Sequence, residues 1–454
     1  MATFALYVAN IFSLDGTVFN AYDAMNIDNL HNMLRGVKPV LNSVRFNPIA
    51  GIDHNIVYAV TSNYRAVDCW IVIKQAICLF LLYKFYNFVP VDRRFFVLSA
   101  IMLIPAVYWV NNIIFSEQNT LIFVLCSFIC LKKYDNEKRT AMLFAFAVFS
   151  NLAIYTKESN IFLYAGILMF FVLRRVFREE IVLKSFLSPF KALAAMPVEY
   201  LLFCNMLVFS VFYLLTRDLL TDGVYLVHNH RDMLELLQIY RLELVINLAA
   251  LFLLVIRLCK AGNLLQKGII CGCTLISFFI VFDFQIAGYP DYYKSWYLYL
   301  PAVFCTGYFF SYLSKKAFLW FFIPFIVFSG YKDYQIGVRE EGKSRHELAD
   351  YIISQGDKTS WFVDKANVSD SWKFECFNAA LKHVYPFGEL FFKTNHRFRP
   401  VMGTKSNSFF MTVLSEEATD GDYVIVHKND NPYFSDKNML LMYENDFYQV
   451  YRHQ

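Results

Sequence analysis

The chain has 454 residues, of which 57% are hydrophobic, 19% aromatic and only 18% charged. Soluble domains carry about 25% charged and about 45–50% apolar residues, so a soluble, disordered, collagen-like or coiled-coil chain is excluded and a polytopic membrane protein is expected. The formal net charge of +4 is small; it fits cytoplasmic loops better than a nucleic-acid surface, and no nucleic-acid partner is expected.

Apolar windows lie near 2–14, 66–83, 95–114, 119–131, 140–154, 160–173, 195–215, 243–258, 268–284, 296–313 and 317–330. They predict about eleven spans, several of them shorter than the ~20 residues of a perpendicular transmembrane helix. No cleavable signal peptide is read: the first window has no basic flank and runs into Asp15 rather than a small-residue cleavage site. Most of the 10 cysteines fall in apolar runs, and Cys271-Gly-Cys273 reads as helix packing rather than a metal ligand pair.

Orientation follows from lysine and arginine. Lys84, Arg93 and Arg94, then Lys132, Lys133, Lys138 and Arg139, then Arg174, Arg175 and Arg178, then Arg257, Lys260 and Lys267, and finally Lys315 and Lys316 occupy alternate loops. The positive-inside rule makes these loops and the N-terminus cytoplasmic. The opposite side then holds a first outer loop, 15–65, and the polar tail. Residues 1–330 form the predicted membrane module and 331–454 a small extracytoplasmic α/β domain. Strands are expected at Trp361–Val363, Ser408–Leu414 and Tyr423–His427, and helices at His346–Ser354 and Phe374–Val384.

The few charges at the predicted outer ends of spans carry the chemistry, because charge within a membrane is costly. Asp15 ends the first window, with Asp23 and Asp28 after it. Glu117 opens the window at 119–131, and Lys157-Glu158 forms the turn before 160–173. His228, His230, Arg231, Asp291 and Lys294 follow. Taken singly, Asp15 suits a helix cap, Glu117 an interfacial residue and Lys157-Glu158 a structural ion pair. The His228-x-His230 pair has no third ligand at a fixed spacing, so no metal site is assigned. Together, on one predicted side, they suit an enzyme better than a channel.

In order along the chain, four stretches resemble the GT-C superfamily of membrane glycosyltransferases, in the branch of protein O-mannosyltransferases and their bacterial relatives. They are Asn10-x-Phe12-x-x-Asp15 with downstream Asn29-Leu30-His-Asn32; Arg45-Phe-Asn-Pro48; Ser116-Glu117 with Tyr155-Thr-Lys157-Glu158; and Trp296-Tyr-Leu-Tyr-Leu-Pro301. Three departures stand out. Asp15 is followed by Gly16 where the family often has a second acid, a role Asp23 or Asp28 would take; Trp296 replaces an arginine; and the tail lacks tetratricopeptide-like repeats. The layout is similar to O-antigen-modifying glucosyltransferases of phages and their hosts.

The resemblance implies a GT-C-like fold of about 11 transmembrane helices with a C-terminal domain in the periplasm, in a bacterial inner membrane. It implies an inverting transfer of a hexose, glucose above all, from a polyprenyl-phosphate carrier to a glycan such as O-antigen. Asp15 would be the general base and Glu117 the second catalytic acid, positioning the base, the acceptor or Lys157, with Glu158, Asp23, Asp28, His228, His230 and Asp291 as supporting groups. Lys157, Arg45, Arg231 and Lys294 would hold the donor phosphate. No cofactor is expected, and a divalent cation is left open. The rival readings are a lipid-linked glycan transporter or flippase, and a polysaccharide polymerase or ligase.

Overall fold

The computed structural model describes most of residues 64–107, 116–177, 196–220, 241–257, 264–287, 298–335, 361–363, 421–428 and 439–454, with single residues of 53–60 and 344–355. The described residues form ten helices and one four-stranded sheet. The helices are α1 (Tyr64–Phe85), α2 (Val91–Met102), α3 (Ser116–Glu137), α4 (Thr140–Thr156) and α5 (Asn160–Phe177), then α6 (Pro197–Leu220), α7 (Arg241–Ile256), α8 (Leu264–Ala287), α9 (Tyr299–Tyr312) and α10 (Lys315–Gln335). Each falls on an apolar window of the sequence. The window at 2–14 lies outside the described residues.

One window is not a single helix. Within the stretch 95–114 the first helix ends at Met102, Leu103 leaves it at φ −93° and ψ 2°, and helical backbone resumes at Ala106 and Val107. Pro105 explains the break: it has no N–H to donate and disfavours helical backbone at the residue before it. Among the described residues two stretches, Asn160–Phe177 and Pro197–Leu214, are long and apolar enough to cross a membrane; Thr140–Thr156, Leu242–Ile256, Leu264–Phe279 and Lys316–Phe328 are shorter apolar helices.

The helices pack both against sequence neighbours and against helices far along the chain. α3 lies between α1 and α4, α6 crosses α4 and α5, α7 and α9 pair with each other and with α8, and α2 sits on α9. An aromatic cluster fills the centre: Phe85 meets Phe304 edge-on at 5.7 Å, and Phe128 lies 5.6 Å from Phe304. The tightest contact joins α5 to α8 backbone to backbone. A Cβ on Gly166 would lie 2.4 Å from the Gly272 Cα, and one on Gly272 would lie 2.3 Å from the Leu163 carbonyl oxygen. Gly272 therefore serves the packing expected of the Cys271-Gly-Cys273 run. Gly307 of α9 makes a similar fit, because a Cβ there would lie 1.9 Å from the Tyr86 hydroxyl.

One end of the bundle gathers cations. Arg94 donates to the Val89 and Asn87 carbonyls, Arg93 to the Leu313 carbonyl at 2.9 Å, and Lys132 to Asn87 Oδ1 at 2.5 Å. Arg257 stacks over the Tyr312 ring at 4.3 Å. Between the ends, large apolar side chains face outward on several helices, with Trp320 80%, Phe144 71% and Phe252 66% exposed.

The sheet lies in the tail, with strands β1 (Trp361–Val363), β2 (Tyr423–His427), β3 (Met439–Glu444) and β4 (Tyr448–His453) in the order β1-β2-β4-β3. β1 pairs parallel to β2, and the remaining pairs are antiparallel. β1 and β2 are strands expected from the sequence; the β3–β4 hairpin is an addition. Asn445 shapes its turn by accepting from the Phe447 and Tyr448 N–H groups at 3.1 and 2.8 Å. Its amide donates to the Ser344 carbonyl at 2.6 Å, and Tyr351 stacks on Tyr443 at 4.5 Å, so the helical residues near 344–355 cover the hairpin. The expected strand Ser408–Leu414 and helix Phe374–Val384 lie outside the described residues.

The glycine seam gives a stability test. Gly272→Ala should cost at least the about 1–3 kcal/mol typical of overpacking, because the Leu163 carbonyl cannot move aside. Gly268→Ala, whose added Cβ finds its nearest neighbour at 3.4 Å, should cost clearly less. Thermal unfolding of the two purified variants in detergent checks the order.

Candidate functional site

The first turn of α3 collects the buried charge. Ser116-Glu117-Gln118-Asn119 opens this helix, and an acid in a first turn is favoured by the partial positive charge of the helix N-terminus. Glu117 is 3% exposed and forms an ion pair with Lys157, itself 7% exposed. Asn119, two residues on, donates from Nδ2 to Asp53 Oδ1 at 2.6 Å. The other oxygen of Asp53 accepts from Trp70 Nε1 at 2.6 Å and pairs with Lys74 Nζ at 3.0 Å. Two acids and two lysines thus meet around one helical turn, with Asn119 linking the two pairs.

Local sequence explains why Lys157 reaches inward. α4 ends at Thr156, and Lys157 turns extended at φ −150° and ψ 118°. The carbonyls of the last turn are satisfied from the turn itself: Asn160 Nδ2 and the Lys157 N–H donate to Ala153 O at 2.6 and 3.2 Å, and the Thr156 hydroxyl donates to Leu152 O at 2.6 Å. The Lys157 carbonyl then accepts from the Asn160 N–H at 3.1 Å, starting α5 at once. The turn is too short to carry the lysine out of the bundle.

Longer helices run past this level. Phe162 stacks on Phe279 at 4.0 Å, yet α8 continues to Ala287. Tyr155 meets Phe209 edge-on at 5.3 Å, yet α6 continues to Leu220. α1 begins at Tyr64, well before Lys74. At about 1.5 Å per residue α8 and α6 run on roughly 12 and 16 Å past these ring contacts, and α1 starts roughly 15 Å before Lys74. The cationic end of the bundle lies in the opposite direction along α3, at Lys132.

Of the acids and cations singled out in the sequence, Glu117, Lys157 and Glu158 are among the described residues. Glu117 and Lys157 come together; Glu158 lies half-buried in the same turn, its carbonyl accepting from the Ile161 N–H at 3.1 Å. Asp15, Asp23, Asp28, Arg45, His228, His230, Arg231, Asp291 and Lys294 lie outside the described residues, as do the stretches around Asn10 and Asn29. Of the Trp296–Pro301 stretch, the described part begins α9 at Tyr299, with Pro301 in its first turn, where a missing N–H costs little. Among the described residues no three His, Cys, Asp or Glu side chains gather as a metal site would need.

Sequence reasoning missed Asp53, Lys74, Trp70 and Asn119. Lys74 had a readable signal: it is a lysine in the middle of the apolar window 66–83, where a charge demands a partner. Asp53 had none, since its partners lie far along the chain. No family model and no curated protein sequence matches the chain.

The Lys157–Glu117 pair can be tested by a stability cycle. Glu117→Gln and Lys157→Met should each cost about 3–5 kcal/mol, because each leaves the other charge buried and deprived of its ion-pair partner. The double variant should recover most of that loss. Unfolding temperatures of the three variants decide it, and strictly additive losses would show the pair is not coupled.

Proposed function

We propose that the chain is a polytopic membrane glycosyltransferase of the GT-C type. In this reading it is an inverting enzyme that moves a hexose, glucose by resemblance, from a polyprenyl-phosphate carrier to an extracytoplasmic glycan such as O-antigen. The observation that carries the proposal is the buried Lys157–Glu117 pair on the first turn of α3, joined through Asn119 to Asp53 and Lys74. Buried charge of this kind within an apolar bundle is costly and marks function more often than stability. The outward apolar surface supports a bilayer setting, and the cations gathered at Arg93, Lys132 and Arg257 support a cytoplasmic assignment for that end. The ion pairs then face the extracytoplasmic side, in a bacterial inner membrane by resemblance.

The chemistry follows from these positions. The acceptor hydroxyl oxygen attacks the anomeric carbon while the bond from that carbon to the phosphate oxygen breaks. The acceptor proton passes to Asp15, the proposed general base, and the electron pair leaves with the polyprenyl phosphate. Charge developing on the departing phosphate is stabilised by the Lys157 ammonium, with Arg45, Arg231 and Lys294 as further contacts and the N-terminus of α3 adding its partial positive charge. Glu117 fixes where the ammonium sits, and Glu158, Asp23, Asp28, His228, His230 and Asp291 serve as supporting groups. An inverted glycoside and free polyprenyl phosphate are the products.

A second reading, a carrier for a lipid-linked glycan, is favoured by one observation: the ion pairs lie below the ends of α1, α6 and α8, and carriers place binding groups deep in the membrane.

Purified protein given polyprenyl-phosphate glucose and a glycan acceptor should produce a hexose mass shift on the acceptor. Asp15→Asn should lower turnover by roughly 100-fold or more, as loss of a general base does. Lys157→Ala should raise the donor KM and lower kcat. Transport of the lipid-linked sugar with no transfer would overturn the enzyme reading in favour of the carrier. Cysteine labelling that found the tail on the cytoplasmic side would overturn both the orientation and the mechanism.

A further inference from the structure

Asp53 and Lys74 belong to neither the sequence resemblance nor the steps of the reaction, yet they form the second ion pair of the cluster. Asp53 is helical in backbone, ahead of α1, and its carboxylate turns back onto that helix at Trp70 and Lys74. A further contact leaves α1 altogether and goes to Asn119 on α3. Asn119 lies two residues beyond Glu117, so the side chain held by Asp53 and the side chain holding Lys157 leave the same helical turn. Lys74, at 1% exposure, pins the carboxylate electrostatically, and Trp70 pins it by direction. Anchored on α1, the carboxylate can restrain the rotation and height of the α3 terminus.

We propose that Asp53 is a positioning residue for Lys157: held by Lys74 and Trp70, it fixes the first turn of α3 through Asn119 and so sets the Glu117 carboxylate that orients the Lys157 ammonium. The role of Lys157 as the donor-phosphate group rests on the function proposed above; the mechanical link from Asp53 to Lys157 does not. Asn119→Ala is the clean variant, because it cuts the link while leaving the Asp53–Lys74 pair in place. Asp53→Asn cuts the link and the charge pair together.

The test uses the full chain in detergent and measures acetylation of individual lysines by acetic anhydride, read by peptide mass spectrometry. Lys157 is buried and ion-paired, so it should react slowly in the native protein. In Asn119→Ala and in folded Asp53→Asn its rate should rise roughly threefold to tenfold, within the lower part of the range of coupling between groups that share a network. Lys267, 6% exposed on α8, is the internal control for general loosening and should not change. A Lys157 rate in Asn119→Ala that stays at the native value, or rises only in step with Lys267, overturns the proposal. A separate arm adds polyprenyl phosphate to the native protein: protection of Lys157 supports the donor site, and absence of protection removes that role while the link from Asp53 is still judged by the variants.

Discussion

Charge inside an apolar bundle has to be matched where it stands, and that constraint fixes how α1, α3 and the α4–α5 turn meet. Lys74 comes from the middle of α1 and Lys157 from the α4–α5 turn, in different parts of the chain. Their carboxylate partners, Asp53 and Glu117, are likewise remote along the sequence. Leaving any one of the four without a partner would cost several kcal/mol, a large fraction of the stability of a folded domain. The bundle therefore has little freedom to slide α3 along α1, or to lift the α4–α5 turn, without paying that cost. Apolar packing alone, as between Phe85, Phe128 and Phe304, would tolerate such shifts more readily.

This arrangement divides labour between the two ends of the helices. At one end arginines and lysines are satisfied by carbonyls and rings that close loops, as with Arg94 on Val89 and Arg257 on Tyr312. At the other, lysines are satisfied by acids in the interior. The first pattern leaves the cations without a carboxylate; the second sets opposite charges against one another where little water reaches Lys74, Glu117 and Lys157, which strengthens the interaction between them. A group that has to hold a phosphate while a bond to it breaks gains from the second environment.

Much of the helical architecture was legible because apolar windows have a single explanation at this composition. The exception, 95–114, turned on Pro105, whose local effect was visible but was outweighed by the run of apolar residues around it. In the tail, Trp361–Val363 and Tyr423–His427 were legible as short apolar runs with turn residues beside them. Met439–Glu444 and Tyr448–His453 were not, because the first is a continuous apolar run without alternation, Gln449 and Arg452 break up the second, and the hairpin depends on Asn445 serving as both acceptor and donor. The site divides in the same way. Glu117 and Lys157 stood out by lying at the ends of apolar runs, whereas Asp53 acquires its meaning only when the fold carries it to Trp70, Lys74 and Asn119. Spacing along a chain encodes neighbours on one helix and says little about partners on another.

The fit of Tyr86 against Gly307 has a consequence for how this sequence can diverge. No side chain of any kind can occupy position 307 while the tyrosine hydroxyl lies where a Cβ would have to be. A relative that carries alanine at 307 must therefore have shortened residue 86 or swung it away, and with it the lining of the small cavity that Tyr86 shares with Phe85, Gln266 and Tyr308. The two positions are bound to change as a pair, so among distant descendants of this fold the identity at one should report the identity at the other.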